Sequence, residues 1–191
     1  MFSSKLIHAV LAREIVVDGA GQWEMYFGIG KVKARFSKHE FCLCIGLRFG
    51  QLAHVYTDTY HALNGGVHDR YFGKGDVIAK DLFARFKEGN FMNKDDAVKM
   101  ALVFFVENIL CGRDYRKKIS PWLWTLVEDL DIFSSFAWGK YVYQMTVHYL
   151  RQGVREPEVG KTKSKYNLYG FPWAFQVGFV FKNKKFINFV F

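Results

Sequence analysis

Residues 97–111 form a run in which only Lys99, Glu107 and Asn108 are not apolar. Asn93 is placed to cap a helix ahead of this run, and Asp95 and Asp96 would favour its positive end. Gly112 follows, where a left-handed residue commonly ends a helix. A helix apolar nearly all the way round belongs in the middle of a core, and the pattern predicts one here. A bilayer span needs about 18 uninterrupted apolar residues, and Lys99 and Glu107 break this stretch. No other stretch comes closer, so no transmembrane segment is expected. The N-terminus lacks the charged start and long apolar run of a signal peptide.

The rest of the chain has the material to surround such a helix. Half of its 191 residues are hydrophobic and 18% are aromatic, with 20 Phe, 10 Tyr and 5 Trp. That content buries a sizeable core and excludes a disordered chain. Three prolines exclude Pro-rich linkers and collagen-like repeats.

Local signals place about six helices and one hairpin. Ser3 or Ser4 can cap a first helix, in which Leu6, Ile7, Val10 and Leu11 recur at helical spacing. Asp18-Gly19-Ala20-Gly21 ends it as a loop. Residues 23–29 and 31–36, rich in aromatic and branched side chains around Gly28 and Gly30, predict a short β-hairpin. Ser37-Lys38-His39-Glu40 matches the capping box and opens a helix over about 38–47, carrying Phe41, Cys44, Ile45 and Leu47. Residues 48–75 show no regular period, and turns are marked by Asn64-Gly65-Gly66 and Gly73-Lys74-Gly75. Asp76 is placed to cap a helix to about Phe86, with Ile78, Leu82 and Phe86 on one face and Gly89-Asn90 closing it. Ser120-Pro121 starts another to about Asp129. Residues 138–152 carry the stripe Trp138, Tyr141, Val142, Met145 and Tyr149, and 153–166 read as a polar, basic loop. Residues 171–181 satisfy two periods. Phe171, Trp173, Phe175, Val177, Phe179 and Phe181 alternate as in a strand, while Phe171, Phe175 and Phe179 also suit a helix. The sum is an α+β fold, predominantly α-helical, with a small β-hairpin or sheet near residues 23–36.

The formal net charge is +9, and residues 140–191 hold nine basic and two acidic residues. The clusters are Lys161, Lys163, Lys165; Lys182, Lys184, Lys185; and, smaller, Arg113, Arg116, Lys117, Lys118. Such a flank attracts polyanions, nucleic acid or anionic lipid. A solvated surface that keeps an aromatic-rich chain in solution explains the same charges. Lys161, Lys163, Lys165, Tyr166 and Tyr169 interleave cations with aromatics, which suits neutralising phosphates and stacking bases. These five are the candidate nucleic-acid-binding residues. The basic, Phe-rich C-terminus also suits a lipid surface.

Three cysteines, Cys42, Cys44 and Cys111, provide no disulfide framework. They are expected as buried thiols in a reducing compartment, nucleus or cytoplasm. A thiol–imidazole nucleophile would need Cys111 with His54, His61 or His68. The end of an apolar helix argues for an inert thiol there, although Arg113 opposes that. His54, His61 and His68, with Asp58 and Asp69, could supply metal ligands. Turn-rich surface residues explain them as well, and neither metal nor cofactor is expected. Gly28-Ile29-Gly30 lacks the third glycine of a dinucleotide loop, Lys33 standing there, and Gly73-Lys74-Gly75 lacks the P-loop spacing.

Several stretches occur together in order: Phe36-Ser37-Lys38-His39-Glu40-Phe41 with Gly46-Leu47; Tyr71-Phe72 ahead of a charged helix; Val127-Glu128-Asp129-Leu130-Asp131-Ile132-Phe133 with Trp138-Gly139; and Tyr166-Asn167-Leu168-Tyr169-Gly170-Phe171-Pro172. The set resembles a plant-specific domain of unknown function. That domain precedes ubiquitin-like-protein (SUMO) protease domains in proteins of Mutator-like transposable elements and their relatives. The resemblance implies one globular domain over residues 3–180, an atypical tail at 181–191, and a nuclear setting. It also implies a non-catalytic accessory module whose partner is the protease domain of a longer protein. In that protease the catalytic Cys follows a Gln by six positions; Phe105 stands six before Cys111 here, so no catalytic residue is assigned. Ala137 departs from the proline that commonly precedes the Trp-Gly pair. Structural roles are expected for Trp138-Gly139, packing where the chain turns into a helix, and for Phe171, anchoring the last segment. Two functions stand side by side: an interaction module for protein or nucleic acid, and a cysteine peptidase or its inactive remnant. Oligomeric state stays open.

Overall fold

The computed structural model describes residues 4–51, 64–154 and 167–182. In chain order the elements are α1 (Ser4–Leu11), β1 (Glu14–Ile15), β2 (Met25–Ile29), β3 (Val32–Phe36), α2 (Lys38–Ile45), α3 (Val67–Phe72), α4 (Ala79–Glu88), α5 (Asp96–Phe104), a π-helical turn (Phe105–Leu110), α6 (Pro121–Glu128), α7 (Leu130–Ser135), α8 (Trp138–Val154) and α9 (Pro172–Lys182). The fold is α+β and mainly helical. Two compact units form, one from Met1–Phe49 with Trp138–Phe191 and the other from Gly50–Ala137.

The first unit holds an antiparallel sheet of order β1-β2-β3 with α1, α2, α8 and α9. The predicted hairpin is present, with Met25 opposite Phe36, Phe27 opposite Ala34 and Ile29 opposite Val32. Gly30 has φ +58°, at the first central position of the two-residue turn, where glycine carries no steric penalty. Met25, Phe27 and Phe36 are buried. Phe175 of α9 meets Phe27 at 5.5 Å and Phe36 at 5.0 Å, both edge to face. Phe41 of α2 lies 5.3 Å from Tyr143 of α8, and Phe49 6.4 Å from Phe41. These offset and edge-to-face rings form the nucleus of the unit. The Tyr143 hydroxyl donates to the Trp23 carbonyl, and Arg151 donates to the Gln22 and Glu24 carbonyls at 2.6 and 2.7 Å, tying the strand-entry loop to α8.

The capping box forms as the sequence dictates: the Ser37 hydroxyl accepts from the His39 N–H, and the Glu40 carboxylate accepts from the Ser37 N–H at 2.8 Å. The segment with two periods is a helix, α9. Pro172 opens it, and Ala174 and Phe175 are buried side by side, which an alternating strand does not allow. Phe171 anchors this segment through its main chain, donating to the Thr146 hydroxyl at 2.8 Å, while that hydroxyl donates to the Val142 carbonyl at 2.7 Å. Gly139 donates to the Arg48 carbonyl at 2.9 Å, and a Cβ there would stand 2.6 Å from the Phe49 ring. Only glycine lets α8 begin so close to that strand of chain.

The second unit packs α3 to α7 and the π-helical turn. Its elements differ from expectation in several places. α3 and α7 add two six-residue helices. Asp76 does not cap α4; it pairs with Lys118 at 2.5 Å, and the Asp81 carboxylate accepts from the Ile78 N–H at 2.9 Å instead. α5 begins at Asp96, later than an Asn93 cap would place it. The Asp96 carboxylate accepts from the Asn93 N–H at 3.1 Å. Helical winding loosens after Phe104, and the Cys111 N–H reaches back five residues to the Val106 carbonyl at 2.9 Å. Asp129 is at once the end of α6 and the cap of α7, accepting from Asp131 and Ile132 N–H groups. Among the described residues no helix is long and apolar enough to cross a membrane.

Candidate interaction face

Of the candidate nucleic-acid-binding residues, Lys161, Lys163, Lys165 and Tyr166 lie outside the described residues, as does the whole 155–166 stretch. The Tyr169 ring packs edge to face on Tyr149, 4.8 Å away, on the α8 flank. His54 and His61 also lie outside. His68 sits against Trp124 at 5.3 Å, with Nε2 3.1 Å from the Gly75 carbonyl oxygen. Cys111 is buried, and burial first, with the Glu107 carboxylate adding to it against Arg113, pushes its thiol up to about 12. Such a thiol stays protonated and unreactive near neutrality. Cys42 and Cys44 correct the expectation of buried thiols: both are exposed, because α2 buries only Glu40 and Phe41. Among the described residues no three His, Cys, Asp or Glu side chains gather as metal ligands.

The 97–111 run behaves unlike the expected core helix. Its polar residues, and the acid that opens α5, point to partners inside the unit. Asp96 is buried, pairs with Arg70, and accepts from the Tyr71 hydroxyl at 2.7 Å. Burial raises its pKa, but the hydrogen bonds from Arg70, Tyr71 and Asn93 prevail and hold it below the ordinary value. Lys99 meets Glu128 at 2.6 Å, and Glu128 also accepts from the Val67 N–H. Glu107 is buried, accepts from the Ser120 N–H at 2.9 Å, and faces Arg113 at 3.5 Å. The Asn108 amide donates to the Arg113 carbonyl at 3.1 Å.

Apolar residues of the same run face out. Met100, Val103, Val106 and Leu110 are buried, but Val98, Phe105 and Ile109 are 49%, 44% and 50% exposed, with Ala101 exposed between them. Positions 98, 101, 105 and 109 recur at helical spacing and form one ridge. The helix is thus partly inverted, with charged groups turned inward and a phenyl ring turned outward. Composition alone could not reveal this, since the polar residues that would mark the outside of the run, Lys99, Glu107 and Asn108, find their partners within the unit. An outward aromatic flanked by branched side chains has the chemistry of a protein-contact surface.

The chain matches none of the curated proteins and none of the solved structures with which it was compared. One family model, described as a domain of unknown function (DUF1985), matches residues 11–149. That span takes in the hairpin, the capping box, the inverted helix and most of α8. The chain therefore belongs to the family of domains of unknown function DUF1985.

Proposed function

We propose that this chain is a non-catalytic interaction module that offers the Val98–Phe105–Ile109 ridge to a protein partner. The observation behind this reading is the exposed ridge on a helix whose charged residues are turned inward. The resemblance set out above supplies the partner: a ubiquitin-like-protein protease domain in a longer plant, transposon-derived, nuclear protein. Interface energy concentrates in a few aromatic and aliphatic anchors, and Phe105 has the position and size of one.

Calorimetric titration of such a protease domain onto the chain tests this. Binding that Phe105→Asp and Ile109→Asp each weaken tenfold or more is expected. Equal binding by wild type and both variants would discard the ridge.

The alternative, a cysteine peptidase or its remnant, is separated by a thiol-reactive ubiquitin-like probe. The buried, protonated Cys111 supports the non-catalytic reading, for which no labelling at Cys111 is expected. Nucleic-acid contact through Lys161, Lys163, Lys165, Tyr166 and Tyr169 would appear as oligonucleotide binding that weakens steeply with salt.

A further inference from the structure

We propose that β3 accepts an extended acidic segment of a partner as a fourth strand of the sheet. The sheet order leaves β3 at one edge, with five residues, while β1 at the other edge has two. Ile29 and Val32 flank the two-residue turn and so form a hydrogen-bonded pair. Alternation along an antiparallel ladder then turns the main chain of Val32, Ala34 and Phe36 toward β2 and that of Lys33 and Arg35 outward. The opposite strand agrees: Gly28, the partner of Lys33, donates away from β3 to the Arg13 carbonyl at 2.9 Å. Among the described residues, no main-chain bond from Lys33 or Arg35 reaches another element on the outer side. Among the described residues, this edge therefore presents Lys33 and Arg35 main-chain donors and acceptors without a main-chain partner.

Charge selects the occupant. Lys33 and Arg35 are exposed on β3, as are Lys31 in the turn before it and Lys38 at the start of α2 after it. Arg35 is held by Glu40 at 3.4 Å and Glu24 at 3.9 Å, whereas Lys31, Lys33 and Lys38 form no ion pair among the described residues. A second copy of β3 would set Lys33 and Arg35 against their own kind, and like charges across a pair are destabilising. Those same lysines guard against self-pairing and favour a strand bearing carboxylates. Lys33 and Arg35 lie on the face opposite buried Phe36, so the incoming residues beside them would be acidic. On the other face stand Val32, 54% exposed, and Ala34, which favour apolar neighbours. The occupant therefore alternates acidic and apolar residues.

The test uses two fluorescein-labelled hexapeptides, one alternating Glu and Val, the other Lys and Val, followed by anisotropy. The Glu peptide is expected to bind at least tenfold more tightly. Lys33→Pro removes an outward N–H without breaking a bond to β2, and is expected to weaken the Glu peptide tenfold or more. Equal binding of both peptides, or no effect of Lys33→Pro in a folded variant, would overturn the proposal. Hydrogen exchange on the wild type decides independently of any variant. The peptide should slow the Lys33 and Arg35 amides, and unchanged exchange there would overturn the proposal as well. A single-stranded oligonucleotide that binds through Lys33 while the Glu peptide does not would reassign the edge to polyanions and end the strand-addition reading.

Discussion

The unit built on the sheet clusters aromatic rings, Phe27, Phe36, Phe41, Tyr143 and Phe175, whereas the other adds to an apolar core of Leu82, Met100, Val103, Leu123 and Val127 three carboxylates, Asp96, Glu107 and Glu128, each joined to a cation. Rings in contact gain from area and shape and require surrounding on all sides. Paired charges act differently. They contribute little net stability over an apolar filling, yet breaking one is costly, so they fix position more than they stabilise. Asp96, Lys99, Glu107 and Asn108 hold α5 and its π-helical turn from the inside. A helix held in this way keeps its place while Val98, Phe105 and Ile109 stay about half exposed on its far side.

The largest effect expected from breaking this contrast lies in the ring cluster. Phe36→Ala or Phe175→Ala should cost about 3–5 kcal/mol in urea unfolding, since a cavity replaces a buried ring. Native-state hydrogen exchange should show the loss in amides of the sheet unit. Asp96→Ala comes next, at about 3 kcal/mol, because Arg70 is left without its carboxylate. Its exchange signature should fall on α3 and α5. Acid sharpens the same point. The Asp96 pKa is lowered by folding, so its contribution is fully present above the ordinary value of 3.8 and is lost as pH falls through the lower folded value. Protection of α5 amides, taken relative to the intrinsic exchange rate at each pH, should therefore fall on acidification, and Asp96→Asn should remove that pH dependence. Smaller again is Gly139→Ala, at about 1–3 kcal/mol from crowding against Phe49 and the Leu47 carbonyl. Changed exchange in Gly50–Ala137 would show that the substitution is not confined to its own unit.

Much of the fold was legible because it rests on local chemistry. The Ser37–Glu40 capping box, the Gly30 turn and the Ser120-Pro121 start each depend on residues within a few positions of one another. α3 and α7 escaped because six residues are too few to display a period, although Asp129-Leu130-Asp131 holds a cap signal. β1 is shorter still. The candidate face escaped for a different reason. Whether Lys99 and Glu107 point inward depends on Glu128, Ser120 and Arg113, which lie later in the chain and arrive by packing. Cys42 and Cys44 show the same dependence, since a thiol reads as apolar until the helix bearing it is seen to bury another face.

Urea unfolding of Phe105→Asp, compared with the wild type and with Val103→Asp, tests the inverted helix most directly. A carboxylate at the half-exposed Phe105 position should cost about 1 kcal/mol, since the ring gives up only part of its contact, while the same group one half-turn away, at buried Val103, should cost several times more. If Phe105→Asp destabilises the protein as severely as Val103→Asp, the ridge belongs to the core and is not a surface for a partner.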